Sequence, residues 1–169
     1  MILVVAGVAG CGKTTVGKQL AGRLGWVFAD ADSFHPAANI AKMRAGIPLT
    51  DADRKPWLAA ITSWMDDIIA SGQSAVLACS ALKRAYRDEL LGGRPEAVLV
   101  FLVISEEQDE TRVLGRKGHF FGEPLLASQY AALELPEPDE SRVYTIQIGD
   151  KPPGQLAADI IALLGLKLS

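Results

Sequence analysis

Residues 2–15 read ILVVAGVAGCGKTT, an apolar run that leads into a glycine-rich loop followed by a lysine and two threonines. The apolar run predicts a buried strand over Ile2–Ala6, and the helix formers after the loop predict a helix over Lys13–Leu24. The loop has the Walker A spacing, Gly7-x4-Gly12-Lys13-Thr14, between a strand and a helix, the context in which this pattern binds nucleotide phosphates. We therefore predict a phosphate-binding loop directly after the first strand.

The glycines of this loop allow the backbone to curl so that several N–H groups face phosphate oxygens, and the helix that follows adds the positive end of its dipole. In such a loop Lys13 would bridge the β- and γ-phosphates of ATP, and the Thr14 hydroxyl would bind Mg²⁺. Two roles stay open for Cys11: a reactive thiol, or a small loop residue with its side chain turned away. The residues assigned to the nucleotide are Gly7, Gly10, Cys11, Gly12, Lys13, Thr14 and Thr15.

Apolar runs alternate with helical segments along the rest of the chain, which is typical of a parallel sheet covered by helices. We predict further strands over 26–29, 75–79, 97–104 and 143–148. Further helices are predicted over 36–45, 50–70, 83–91, 125–133 and 153–164, with another that follows residue 104 and runs through about Arg116. The expected fold is a three-layer α/β/α P-loop kinase, one domain over 1–169 with about five parallel strands in the order 2-3-1-4-5.

The segment 50–70 carries apolar residues at helical spacing, including three large ones, Trp57, Ile61 and Trp64. A stripe of this kind is typical of a helix that packs on a core. We therefore assign its aromatic residues to the core and not to the stacking of a ligand.

The net charge of −3 over 169 residues offers no basic field for nucleic acid or for an anionic membrane surface. A small anionic substrate is still compatible with this balance, because a local cluster of cations matters more than the total. No apolar run is long enough to span a bilayer. The two cysteines, Cys11 and Cys79, cannot form a disulfide scaffold, and we expect a reducing, cytoplasmic location.

Two carboxylates, Asp30 and Asp32, follow the second predicted strand, and His35 lies three residues further on. Ligands gather at the carboxyl ends of parallel strands, so these side chains should lie beside the phosphate loop. One carboxylate could hold Mg²⁺ through water, and the other could accept the proton of an attacking hydroxyl or orient that hydroxyl. Solvated loop acids and helix caps are the simpler alternative, and His35 could equally be a residue that starts the next helix.

The chain from the glycine loop to about residue 140 resembles gluconokinase, the small P-loop kinase family that phosphorylates D-gluconate. The residues that carry the resemblance are Asp30-x-Asp32-x-x-His35-Pro36-x-x-Asn39-Ile40-x-Lys42-Met43-x-x-Gly46-Ile47-Pro48-Leu49-x-Asp51-x-Asp53-Arg54-x-Pro56-Trp57-Leu58, Ala78-Cys79-Ser80-Ala81-Leu82-Lys83-Arg84-x-Tyr86-Arg87-Asp88, Arg116-Lys117-Gly118-His119-Phe120, Leu125-Leu126-x-Ser128-Gln129 and Leu133-Glu134-x-Pro136. These motifs are far more specific than a Walker A loop, which indicates a nucleotide and no more.

The resemblance implies a substrate-binding segment over about 32–58 and cations that hold a sugar acid. It places around gluconate Asp32, His35, Lys42, Arg54, Lys83, Arg84 and His119. Two alternatives stay open: Lys42 could equally be an exposed helix residue, and His119 could equally pack in a hinge. Asp32 is the implied base for the transferring hydroxyl. Because the third strand ends in Ala-Cys-Ser and lacks a Walker B acid, Asp30 would organise Mg²⁺ together with Thr14. Arg87 is either a further cation of the site or an exposed helix residue, and a homodimer is a further implication.

Glycines and prolines flank a short predicted helix in the segment 117–140, and this composition predicts a lid. Arg112 and Arg116 lie four residues apart at its root, on one helix face. The resemblance implies that Arg112 packs on adenine and that Arg116 contacts the phosphates as a catalytic residue. The alternative for both is a solvated basic helix end.

Two rival functions remain at this point. One is a small-molecule kinase of another specificity, of the shikimate type, although the segment 32–58 lacks an obvious Gly-Gly-Gly site. The other is a nucleotide-binding regulatory protein without turnover. The presence of Lys13, Thr14, Asp32 and Arg116 argues against that second rival, because each supplies part of a transfer site.

Overall fold

The computed structural model of the chain describes residues 1–104 and 123–168. Within them lies a five-stranded, wholly parallel sheet in the order β2-β3-β1-β4-β5. Its strands are β1 (Ile2–Ala6), β2 (Val27–Asp30), β3 (Ala75–Ala78), β4 (Ala97–Val103) and β5 (Val143–Gln147). The predicted fold class and strand order are therefore confirmed.

Burial along the strands follows their positions in the sheet. Every residue of β1 and β3 is buried, as expected for central strands that are covered on both faces and read as continuous apolar runs. The edge strands β2 and β5 contain exposed residues, including Val27 and Tyr144. Because β1 is central, the loop that follows it lies near the middle of the carboxyl edge of the sheet.

Six α-helices lie within the described residues: α1 (Lys13–Leu24), α2 (Ala37–Arg44), α3 (Asp51–Ala70), α4 (Arg84–Leu91), α5 (Glu123–Ala132) and α6 (Pro153–Leu164). The bounds of α1 and α6 match the sequence prediction, and the other four differ by one or two residues at an end, where helices fray. The helix predicted to run through Arg116 falls outside the described residues. None of the helices described is both long enough and apolar enough to cross a membrane.

Helix α3 begins with a reciprocal cap: Thr50 Oγ1 accepts from Asp53 N at 3.1 Å, and Asp53 Oδ2 accepts from Thr50 N at 2.9 Å. The predicted apolar stripe is buried at Trp57 and Ile61 and partly buried at Trp64, which confirms its assignment to the core. Trp57 Nε1 also donates to the carbonyl of Ala31 at 2.7 Å. This bond fixes α3 against a 3₁₀ turn, Ala31–Phe34, that follows β2.

A buried ion pair joins α4 to the chain that follows α5. Arg87 donates two bonds of 2.7 Å to Glu140, and the side chains are 1% and 2% exposed. Arg87 Nη1 also donates to the carbonyl of Glu134 at 2.9 Å. Arg87 is thus neither an exposed helix residue nor a cation of the site, because its guanidinium is used in holding residues 134–140 to the core.

We expect Glu140→Gln to lower the free energy of unfolding by about 3–5 kcal/mol, because it leaves a buried guanidinium without its counter-charge. Asp159→Asn is the matched control, since it removes an ion pair with Lys151 at the surface, where both side chains retain exposure. Its cost should stay below about 1 kcal/mol. Urea unfolding of the two variants measures the difference, and equal losses would show that the buried pair has no special structural role.

Candidate active site

The glycine loop leaves β1 with a backbone turn that excludes a side chain at Gly7. This residue has φ +141°, and a Cβ placed on it would lie 2.7 Å from the carbonyl oxygen of Leu102 and 2.8 Å from Cys11 Sγ. Its N–H donates to the carbonyl of Ser80 at 3.3 Å. The loop is therefore packed between the ends of β3 and β4. Cys11 is 1% exposed, and its side chain faces Gly7 from within the loop.

Two side chains of the loop make defined contacts. Lys13 Nζ donates to the carbonyl of Val8 at 2.7 Å, and Thr14 Oγ1 donates to Asp30 Oδ2 at 2.7 Å. The other oxygen of Asp30 accepts from the backbone N–H of Asp32 at 3.1 Å. Asp30 thus connects the start of α1 to the 3₁₀ turn that carries Asp32.

The oxygens of Thr14 and Asp30 are ligands of the type that Mg²⁺ prefers, with phosphate and water completing its shell. No cluster of three or more histidine, cysteine, aspartate or glutamate side chains that could hold a metal alone occurs in residues 1–104 and 123–168. This donor set fits a metal shared with a bound nucleotide better than a resident metal enclosed by protein.

One cavity extends from the phosphate loop to the substrate segment predicted from the sequence. Lys13 and Thr14 line it on the loop side, and Asp32, His35 and Arg54 line it on the other. The remaining lining residues are Ala9, Gly10, Asp30, Met43, Pro48, Leu49, Trp57, Ala78, Cys79, Ser80, Leu125, Ser128 and Gln129. The structure therefore brings the phosphate loop and three of the predicted substrate residues to one space.

Helix α5 contributes a cavity residue that was quoted in the sequence motifs without a role. Gln129 Oε1 accepts from the backbone N–H of Ala9, in the phosphate loop, at 2.7 Å. Gln129 therefore accepts a hydrogen bond from a loop N–H group of the kind that binds phosphate oxygens. The adjacent motif residue Ser128 also lines the cavity.

The imidazole of His35 is held against a tryptophan. Its ring stacks on Trp57 with centroids 4.8 Å apart and planes 8° apart. Its Nδ1 lies 3.3 Å from Asn39 Nδ2. Burial, and then the positive charge of Arg54, lower the pKa of His35 from 6.5 to about 4. The ring is therefore neutral at physiological pH.

Arg54 is a cation of the cavity wall. Its Nη1 donates to the carbonyl of Leu49 at 2.7 Å, and its guanidinium carbon lies 5.8 Å from the centre of the Tyr86 ring. Of the side chains described, Lys13 and Arg54 are the two cations that line this cavity. Lys13 belongs to the phosphate loop, so Arg54 is the cation on the side of the cavity that Asp32 and His35 line.

Three other cations of the predicted substrate site are ion-paired away from the cavity wall. Lys42 pairs with Asp53, Lys83 with Asp51 and Arg84 with Asp139, each at 2.8 Å. Hydrogen bonds from Lys83 and then from Tyr86 hold the pKa of Asp51 below its usual value, so this carboxylate stays charged. None of the three cations is among the residues that line the cavity.

Cys79 stands after β3, where many P-loop enzymes have an acid. Its thiol is buried and lines the cavity. Burial raises its pKa to about 12, so the thiol is protonated at neutral pH and is a poor nucleophile. The carboxylates of Asp30 and Asp32 line the same cavity, and Asp30 is the one that bonds Thr14.

A second cleft lies on the other side of the loop. It is lined by Gly10, Cys11, Gly12, Thr15, Val16, Asp150, Lys151, Pro152, Pro153 and Leu156. The segment Lys151-Pro152-Pro153, which follows β5, therefore lies beside the phosphate loop. Three further predicted site residues, Arg112, Arg116 and His119, lie outside the described residues.

Comparison with known proteins identifies the relatives of the chain. The shikimate kinase family model matches residues 9–163. The gluconokinase of Gluconobacter oxydans is 46% identical over 159 residues, which are 94% of this chain and 88% of that protein, and the thermoresistant gluconokinase of Escherichia coli is 38% identical, with coverage of 94% and 91%. A solved gluconokinase from Sinorhizobium meliloti superposes with a TM-score of 0.85 at 41% identity, over 96% of this chain and 90% of that one.

The lowered pKa of His35 predicts a pH dependence of stability. Between about pH 4 and 6.5 the unfolded chain binds a proton at this ring and the folded chain does not, so stability should fall as the pH falls through this window. His35→Gln should weaken that fall, because glutamine does not titrate. Urea unfolding across the window measures both slopes, and groups common to the two proteins cancel. Parallel slopes would contradict the lowered pKa.

Proposed function

This chain belongs to the gluconokinase family, and on that premise we propose that it transfers the γ-phosphoryl group of ATP to D-gluconate, giving 6-phosphogluconate. One observation carries the proposal beyond the family: the phosphate loop and the side chains of Asp32, His35 and Arg54 line one cavity. A phosphoryl donor and a sugar acid bound at its two ends would meet without a covalent carrier. The arrangement supports direct transfer, which depends on positioning and charge.

Lys13, Thr14 and Asp30 would serve the nucleotide. Lys13 is close enough to the loop carbonyl of Val8 to bond it, so its ammonium group lies over the loop where phosphate charge would accumulate. Thr14 and Asp30 would hold Mg²⁺, which, when bound, neutralises charge on the phosphate oxygens. The loop N–H groups supply the remaining donors.

The substrate end of the cavity offers the groups that a sugar acid needs. Arg54 supplies a guanidinium for the carboxylate, and a guanidinium can bind a carboxylate through two hydrogen bonds. Asp32, at the start of the turn after β2, is the proposed group that accepts or orients the proton of the attacking hydroxyl. The neutral ring of His35 would bind another oxygen of the substrate.

Direct transfer without a phosphoenzyme agrees with the state of the cysteine at the site. Formation of a covalent intermediate at Cys79 would require its thiolate, and the raised pKa disfavours that form. The proposed nucleophile that attacks the γ-phosphoryl group in line is therefore the hydroxyl of the substrate.

Several finer assignments are also proposals, the first three of which come from the resemblance. Arg112 would pack on adenine, Arg116 would contact the phosphates in the transition state and His119 would touch the ligand. The lid would span 117–132, shorter than the 117–140 expected from composition, because residues 134–140 are joined to the core through Arg87. The ion-paired cations Lys42, Lys83 and Arg84 would help to shape the site indirectly. A cytoplasmic homodimer is also a proposal.

We expect D-gluconate to be phosphorylated with a kcat/KM at least about tenfold above that of shikimate, glycerate or glucose, a difference of about 1.4 kcal/mol in transition-state stabilisation. The reason is that the cavity has a cation for a carboxylate together with polar groups for hydroxyls. Coupled release of ADP measures each rate. Shikimate is the critical comparison, since its kinase family model matches most of the chain; a preference for shikimate, or equal use of glucose, would contradict the proposal.

The choice of Arg54 among the predicted cations can be tested with a matched pair of variants. Arg54→Met should raise the KM for gluconate by about tenfold or more, because a charge-assisted bond to the carboxylate contributes about 1.5–3 kcal/mol. Arg84→Met makes the same chemical change in a residue paired with Asp139, away from the cavity wall. Its effect on the KM should be several times smaller. A larger effect of Arg84→Met would show that Arg84, and not Arg54, binds the carboxylate of the substrate.

A further inference from the structure

Asn39 occupies a buried position between two helices and faces the ring of His35. Its side chain is in α2, one turn after His35, and the residue is 3% exposed. Its Nδ2 donates to the backbone carbonyl of Asp53, in α3, at 2.8 Å, and lies 3.3 Å from His35 Nδ1. One amide group therefore contacts both the helix that carries Arg54 and the ring that lines the cavity.

The carbonyl of Asp53 determines which end of this amide faces the ring. A carbonyl oxygen can accept a hydrogen bond but cannot donate one, so the group near it must be the NH₂ of Asn39. The same NH₂ carries a second hydrogen, which is available to His35 Nδ1. The orientation of the Asn39 amide therefore follows from the carbonyl of Asp53, which can only accept a hydrogen bond.

An NH₂ group next to His35 Nδ1 in turn determines where the imidazole carries its proton. If Nδ1 carried a hydrogen, two N–H groups would point at each other. Nδ1 must therefore be the acceptor, and the hydrogen of the neutral ring must be on Nε2. This contact also disfavours the imidazolium form, which would need a hydrogen on both nitrogens. It acts in the same direction as the burial that lowers the pKa of His35.

We propose that Asn39 is a positioning residue that holds His35 in the Nε2–H tautomer, so that His35 presents a hydrogen-bond donor to an acceptor oxygen of the substrate. Nδ1 is engaged by Asn39 and one ring face is covered by Trp57, which leaves Nε2 as the polar atom directed elsewhere. His35 itself lines the cavity that reaches the phosphate loop.

The consequence for substrate recognition is a division of roles between two neighbours. His35 donates a hydrogen bond, whereas the carboxylate of Asp32 accepts one, and both line the same cavity. A sugar hydroxyl both donates and accepts, so this pair suits a polyhydroxylated molecule. His35 is excluded as the base because its basic nitrogen faces Asn39. The identity of the acceptor as gluconate rests on the proposed function, but the tautomer does not.

The tautomer can be measured directly in the full chain labelled with ¹⁵N-histidine, without ligand and at neutral pH. Long-range ¹H–¹⁵N correlation distinguishes the Nε2–H, Nδ1–H and imidazolium forms. The chain has two histidines, so loss of one set of signals in His35→Gln assigns the ring. We expect the Nε2–H form for His35. Observation of the Nδ1–H form or of imidazolium would overturn the proposal, whatever the variants do.

Asn39→Asp tests the role of the amide, because it replaces the donor with an acceptor of nearly the same size. The His35 signals should change to Nδ1–H or imidazolium. Lys42→Gln is the matched control: it breaks a neighbouring link between the same two helices, the ion pair with Asp53, and leaves Asn39 in place. Its His35 spectrum should remain that of the wild type. An unchanged spectrum in folded Asn39→Asp, or the same change in both variants, would overturn the positioning role.

A kinetic readout connects the tautomer to substrate binding. Asn39→Leu should raise the KM for gluconate about tenfold, the value of one hydrogen bond, with the KM for ATP changed less than about twofold. An unchanged KM for gluconate would refute the donor role. The spectra need no substrate, so they decide the tautomer even if the wild-type protein fails to phosphorylate gluconate, a result that would overturn the proposed function instead.

Discussion

The close packing of the phosphate loop against the sheet at Gly7 is the constraint on which the site depends. A side chain at this position would collide with the carbonyl oxygen of Leu102 on one side and with Cys11 on the other. The loop can therefore curl over the end of the central strand only with glycine there. From that central place the first turn of α1 reaches Asp30 at the end of β2, through Thr14, and the cavity opens between them. Through Asp30, the loop is also linked to the turn that carries Asp32.

Pairing of charges then decides which cations are available to a ligand. Asp51 and Asp53 both lie in the first turn of α3, where acids are favoured by the helix dipole, and each also binds a lysine, Lys83 or Lys42. Arg54, the residue after Asp53, instead donates to a backbone carbonyl and lines the cavity. A site that recognises one carboxylate needs one such guanidinium. The acids of α3 neutralise two nearby lysines, Lys42 and Lys83, by pairing with them. In the proposed function, specificity would depend on these ion pairs as well as on the arginine that lines the cavity.

The fold could be predicted because its signals are local. Continuous apolar runs in the sequence indicate the buried strands. Helices α1 and α6 end where the sequence predicts, and each is followed by a glycine with a left-handed backbone conformation, Gly25 or Gly165. The phosphate loop and Asp30 followed from a motif and its neighbouring strand. Arg87 could not be predicted in the same way, since its partner Glu140 lies 53 residues away and nothing local reveals a buried pair. The ion pairs of Lys42 with Asp53 and of Lys83 with Asp51 likewise depend on contacts that no spacing in the sequence encodes. The same is true of the contacts that Asn39 makes with Asp53 and His35.

The most direct test of this account is the identity of the product. Wild-type protein should be incubated with ATP, Mg²⁺ and D-gluconate, and the product examined by ³¹P NMR without proton decoupling. Transfer to the primary hydroxyl predicts a phosphate ester signal split into a triplet by the two protons on its carbon, appearing together with ADP. A doublet would place the phosphate on a secondary hydroxyl, and release of ADP with inorganic phosphate alone would mean that gluconate is not the acceptor; either result would contradict the account.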